Sequence, residues 1–134
     1  MTAGYSGTPL PRKLGVKPGH TVLVDHAPDG FALGELPPDV RVHTRAGPGP
    51  YDLVLAFCPD LARLEARFAP LAGRLDRAGA LWVGWPKKSS GVPTDLSDNV
   101  VRAHGLAVGL VDVKVAALDA TWSGLKFVYR LADR

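Results

Sequence analysis

The chain is poor in the residues from which most simple catalytic motifs are made. Of its 134 residues only Cys58 is cysteine and only four are histidine. A lone cysteine excludes an internal disulfide and fits a reducing compartment, so the expected location is cytoplasmic. His20, His26, His43 and His104 are scattered, without HxH, HExxH or CxxC spacing, so no metal site is expected. The GxxxxGK[ST] and GxSxG patterns are also missing, and no paired carboxylates stand out for acid–base work. Gly47-Pro48-Gly49 is too short for a dinucleotide fingerprint and precedes a strand rather than a helix. No apolar run spans a bilayer: the longest, such as Leu53 to Cys58, are strand-sized. No membrane partner is expected, therefore, and the N-terminus lacks the apolar stretch of a secretory signal. The net charge of +3 is spread along the chain, and without a dense basic stripe a nucleic-acid partner is not expected either.

What the chain does hold is an ordinary globular balance, 46% hydrophobic and 22% charged, cut into short pieces by 15 glycines and 12 prolines. The length fits one domain over residues 1–134, with residues 1–20 as a short helix and lead-in. Thr8 caps that helix and Gly15 ends it. Thr21 to Asp25 is a nearly continuous apolar run, as in a strand buried on both faces. A loop from His26 to Gly30 leads to a short helix or helical turn reaching Leu36. Val40 to His43 is a weaker second strand, and Tyr51 to Phe57 a strong third. Asp60 opens a helix whose Leu61, Leu64, Phe68, Leu71 and Leu75 share one face, with Pro70 kinking or splitting it. Gly79 to Trp85 is the fourth strand. Thr94 or Asp95 caps a helix carrying Leu96, Val100 and Val101, which Gly105 stops. The alternating runs Leu110 to Leu118 and Leu125 to Leu131, joined by Asp119 to Gly124, form an antiparallel hairpin.

Strands alternating with helices imply an α/β fold, a three-layer, mostly parallel sheet of Rossmann-like type that ends in the antiparallel hairpin. One link is short. Thr44 to Pro50 is about seven residues, which extend to about 23 Å at most. It either runs back under the sheet without a helix, or strand two is antiparallel.

The pattern resembles the methyltransferase-like variant of the Rossmann fold. Thr21 to Asp25 sits where its first strand sits, Tyr51 to Leu55 is similar to its central strand, Arg77 to Val83 to the approach to the next, and the final hairpin to its ending. Three segments, SGTPLPRKLGVKPG, ALWVGWPKKSSGVPTDLS and GLVDVKVAALDATWSGLKFVYR, resemble a bacterial, mainly actinobacterial family of unknown function, which carries no established activity across. The methyltransferase resemblance implies S-adenosylmethionine as cofactor, but departs where that cofactor would sit. His26-Ala27-Pro28-Asp29-Gly30 replaces a glycine-rich turn, and Thr44 and Arg45 stand where an acid would hold the ribose.

Parallel strands would bring His26, Cys58, Lys87, Lys88 and Ser89 to one carboxyl-end rim, with Thr121, Trp122 and Ser123 of the hairpin tip beside them. The candidate ligand-binding residues are therefore Asp25, His26, Lys87, Lys88, Ser89, Ser90, Trp122 and Ser123. The loop Trp85 to Gly91 offers ammonium and hydroxyl groups for a phosphate or carboxylate, against the plain alternative of a solvated loop. Trp122 either stacks on a ligand or caps the core beneath the hairpin. Cys58 with His26 would make a nucleophile and base, against the plain alternative of a small buried apolar residue. The expected function is a non-catalytic module binding a small anionic or nucleotide-like ligand, or a protein partner, at the carboxyl edge, with no cofactor by default. The alternative is a divergent S-adenosylmethionine-dependent methyltransferase-like enzyme. No catalytic residue is assigned, and the oligomeric state is left open.

Overall fold

The computed structural model describes residues 8–134; the first seven residues of the expected lead-in lie outside it. The elements are α1 (Leu10–Leu14), β1 (Thr21–Asp25), β2 (Arg41–His43), β3 (Tyr51–Phe57), α2 (Leu61–Ala72), β4 (Leu75–Pro86), α3 (Asp98–Val108), β5 (Leu110–Ala117) and β6 (Trp122–Tyr129). They form one six-stranded sheet in the order β2-β1-β3-β4-β6-β5. β2, β1, β3 and β4 run parallel, and β6 is antiparallel to both of its neighbours. This is the expected mostly parallel α/β sheet with a closing hairpin.

The sheet is buried on both faces because its central strands are apolar at most positions. One face, with Leu23, Val54, Ala56, Leu81, Val83, Leu125 and Phe127, packs under α2 and α3. The other, with Val22, Val24, Leu53, Leu55, Phe57 and Trp82, is covered by Leu14 and Val16 and by the chain around Phe31, Leu33 and Leu36. The buried Trp82 satisfies its indole N–H on the Leu14 carbonyl at 3.0 Å, which fixes the end of α1 to the sheet. The third layer is thin. No helix forms after β1, where residues 31–36 pack as coil, so the expected helical turn is corrected. With Pro37-Pro38 close behind, that stretch is too short to complete a helix.

β2 is parallel to β1, pairing Thr21 with Arg41, so Thr44 to Pro50 crosses under the sheet without a helix. Tyr51 organises this crossing. Its phenolic oxygen accepts from Gly47 N at 2.7 Å and shares a hydrogen bond with His43 Nδ1 at 2.9 Å. The Arg74 guanidinium donates to the Gly47 carbonyl.

Further details differ from the sequence reading. The N-cap of α1 is Pro9, not Thr8. β4 begins at Leu75 rather than Gly79, so Leu75 belongs to the sheet and not to the face of α2, which ends at Ala72, and β6 begins at Trp122 rather than Leu125. Pro70 does not split α2, because it stands in the last turn, where only the bond to the carbonyl of Ala66 is lost. α3 starts at the cap Ser97, whose side chain accepts from Val100 N at 3.3 Å. Asp95 instead accepts from Leu61 N at 2.8 Å at the start of α2, and the Thr94 hydroxyl donates to the Pro59 carbonyl at 2.7 Å. α3 then passes through Gly105 and stops at Gly109, which adopts φ +112°. Gly105 is inside the helix because Phe127 lies against its backbone: a Cβ there would fall within 2.6 Å of the ring carbons Cδ1 and Cζ.

Candidate functional site

The chain moves from β1 outward to β2 and then returns to β3 on the opposite side of β1. The carboxyl ends of β1 and β3 therefore border the crevice at which sheets of this kind take their ligands. Asp25 is the last residue of β1 and is only 4% exposed. α2, the crossover helix between β3 and β4, lays Arg67 over it. Arg67 Nε donates to Asp25 Oδ2 at 3.0 Å and Nη2 to Oδ1 at 3.1 Å, a fork on both oxygens. His26 Nδ1 lies 3.0 Å from Oδ2 as well. Burial pushes the Asp25 carboxyl up, but the hydrogen bonds and charges of Arg67 and His26 more than reverse this and hold it below the usual range. His26 itself takes φ +56°, a left-handed conformation that a non-glycine residue adopts at a cost. Asp25, His26, Thr44, Arg45, Ala46 and Arg67 line an open hollow of about 310 Å³.

Sequence reading did not find Arg67. Its signal was its place between Leu64 and Phe68, at the margin of the buried stripe of α2, from which a long charged side chain reaches either solvent or a partner on the sheet.

Lys87, Lys88 and Ser123 line a different cleft of about 660 Å³, with Trp85 and Val115 among its walls. The hairpin joins it as topology requires, through Lys87 N donating to the Thr121 carbonyl at 2.8 Å. Ser89 and Ser90 belong to a 3₁₀ turn, where the Ser90 hydroxyl donates to the Lys87 carbonyl at 2.6 Å. Trp122 faces the α1 side of the sheet, edge-on to Phe57 with ring centres 5.0 Å apart. The reason is strand alternation: Ser123 looks into the cleft, so its neighbour looks away. The eight candidates thus share a rim but not a hollow. β1 and β4 are separated by β3, about 10 Å at ordinary strand spacing.

Cys58 ends up 1% exposed, with no hydrogen bond to His26. Burial, and then the nearby Asp25 charge, push its thiol up to about 12. A thiolate is therefore not available at neutral pH. Ellman's reagent at mildly alkaline pH is expected to leave folded protein unlabelled and to titrate one thiol after denaturation; rapid labelling of the native chain would show the burial to be wrong. Among the described residues no group of three histidine, cysteine, aspartate or glutamate side chains could hold a metal ion. No helix among them is long and apolar enough to cross a membrane.

The residues at the end of β1 do not fit an adenosyl sulfonium cofactor in the manner the resemblance implied. No glycine-rich turn or helix follows the strand, and Thr44 and Arg45, not an acid, follow β2. Among the described residues, the one carboxylate lining the hollow is already neutralised by Arg67, and the fixed charge that remains there, on Arg45, is positive. That balance opposes a sulfonium cation, and these side chains supply no step through it.

No family model matches the chain, and no curated protein matches it by sequence. Solved structures do. A magnesium protoporphyrin IX methyltransferase from Synechocystis, solved with bound S-adenosylmethionine, superposes with a TM-score of 0.61 at 15% identity over 84% of this chain and 71% of that one. A TehB-like S-adenosylmethionine-dependent methyltransferase from Corynebacterium glutamicum gives 0.57 at 11% identity over 84% and 82%. The 1,6-didemethyltoxoflavin-N1-methyltransferase of Burkholderia thailandensis, solved with S-adenosylhomocysteine, gives 0.52 at 14% identity over 88% and 73%. At such identities the likeness establishes the fold. It also corrects the expected function: the three structures named are methyltransferases, which counts against the expected non-catalytic ligand or partner module. The chain has the methyltransferase-like Rossmann fold.

Proposed function

We propose that this chain is a divergent S-adenosylmethionine-dependent methyltransferase-like enzyme. The observation that carries the reading is the sheet itself: four parallel strands closed by an antiparallel hairpin, superposing on solved methyltransferases over most of both chains. The crevice between β1 and β3, where ligands of such sheets bind, is the place where the chain departs most from the resemblance. The cofactor region is therefore remodelled rather than copied. The resemblance of three segments to an actinobacterial family, and a cytoplasmic place for the chain, belong to the same proposal.

Calorimetry with S-adenosylmethionine and S-adenosylhomocysteine tests it. The reading expects saturable heat with a Kd below about 1 mM. It also expects a rise in Tm of about 5 °C at ten times Kd, since that occupancy adds about 1.4 kcal/mol. No heat and no shift at millimolar ligand removes the reading.

A further inference from the structure

We infer that His26 is a proton-accepting side chain, set by Asp25 to act through its Nε2 on a small substrate with an ionisable hydroxyl or amine in the hollow at the ends of β1 and β2. The inference rests on the proposed reading only for which reaction the proton transfer serves.

The geometry is that of an oriented imidazole. Asp25, ionised, can only accept, so its 3.0 Å contact selects the imidazole form with hydrogen on Nδ1 and leaves the lone pair on Nε2. The imidazole side chain is 46% exposed while its carboxylate partner is 5% exposed, so the ring is anchored at one nitrogen and open at the other. Arg67 grips both carboxylate oxygens, which keeps Asp25 from rotating away. The left-handed backbone of His26 is a strained arrangement, and such strain persists where surrounding contacts over-determine it. β1, which ends in Asp25 with His26 following it, borders the topological switch point beside β3, and the hollow opens on its β2 side. Among the described residues, the other charged groups around the hollow are Arg45, after β2, and Arg67, from α2, and no second acid lines it.

The other three histidines lack this arrangement. His20 Nδ1 accepts from Lys17 N in a turn, His43 Nδ1 is tied to the Tyr51 phenol, and the His104 ring lies edge-on to Phe68. Among the described residues none of the three has a carboxylate partner. In the proposed step the substrate's O–H or N–H bond breaks and the proton bonds to Nε2. The electron pair stays on the oxygen or nitrogen, which becomes the nucleophile. The imidazolium stands beside the Asp25 carboxylate and later returns its proton to water. Asp25 and Arg67 are positioning residues.

The test uses the full chain and two measurements. Long-range proton–nitrogen correlation spectra give the tautomer of each neutral imidazole. Diethyl pyrocarbonate at neutral pH, followed histidine by histidine by mass spectrometry, gives the reactivity of each free nitrogen. The expected result is an Nδ1–H tautomer for His26 and acylation on the order of tenfold faster than His20 and His43. Asp25→Asn should abolish that advantage while leaving His20 unchanged. An Nε2–H tautomer in the wild type, or acylation of His26 at the rate of His20, overturns the inference, and both are read even where the variant does not fold. Neither measurement involves S-adenosylmethionine, so failure of cofactor binding and failure of this inference are separately visible.

Discussion

Gly105→Ala is expected to lower stability by about 2–3 kcal/mol, a fall in Tm of about 7–10 °C for a chain of this length. The sign is the informative part. At an ordinary exposed helical position the same change stabilises by about 1 kcal/mol, because alanine is the better helix former. Here the added methyl meets the ring of Phe127, which is fully buried and wedged edge-on against Phe68 with ring centres 5.1 Å apart. Neither ring has room to retreat, so α3 must lift off β6. Phe127→Leu in the same background should recover part of the loss, giving a coupling energy of about 1 kcal/mol or more in a double-mutant cycle. Chemical denaturation of the four proteins measures it. A neutral or stabilised Gly105→Ala would mean that α3 does not pack on β6 as described.

Arg67→Met should be the second large effect, about 3 kcal/mol at neutral pH. The thioether keeps much of the packing of the arginine stem but removes both hydrogen bonds, leaving a buried carboxylate with His26 as its remaining partner. The pH dependence distinguishes this from lost packing. In the wild type the folded carboxyl of Asp25 titrates below its unfolded value of about 3.9, so its contribution is complete above that pH. The contribution is lost as pH falls from about 4 through the lower folded value, because the unfolded chain then binds the proton first. In Arg67→Met burial dominates and the carboxyl moves up instead. The native state of the variant then takes the proton first, and acidification towards pH 4 stabilises it relative to neutral pH. The gap between the two proteins should therefore close on acidification. Denaturation midpoints at a series of pH values read this directly; a gap constant from neutral pH to about 3 would assign the loss to packing alone. Asp25→Asn combined with Arg67→Met should be milder than Arg67→Met, since the stranded charge is gone.

Some of the architecture was legible because it is written in short-range pattern. Thr21 to Asp25 and Tyr51 to Phe57 are apolar at nearly every position, which requires a strand covered on both sides, and the alternation in the last two strands requires a hairpin. Several errors fall where a long-range contact overrode a local preference. Gly105 reads as a helix stop in any one-dimensional analysis; the ring that makes glycine necessary there comes from a strand 22 residues later, as the numbers of Gly105 and Phe127 show. Thr94 and Asp95 have the chemistry of caps for α3 but spend it on Pro59 and Leu61, at the neighbouring helix. The candidate site divides in the same way. His26 was found at the end of its strand, whereas Arg67, which holds the carboxylate beside it, is 42 positions from Asp25. Trp122 was assigned to the right rim, but its face follows from the register of β6 against β4.

By itself the sequence determined the fold class, the closing hairpin, and the absence of the commonest metal and hydrolase motifs, because each depends on composition or on the spacing of near neighbours. The side chains that converge at the end of β1, and the division of the rim into two hollows, were decided by tertiary structure alone. Those outcomes depend on which residues α2 and β6 bring across the sheet, and distances through space between positions remote in the chain leave no periodic trace along it.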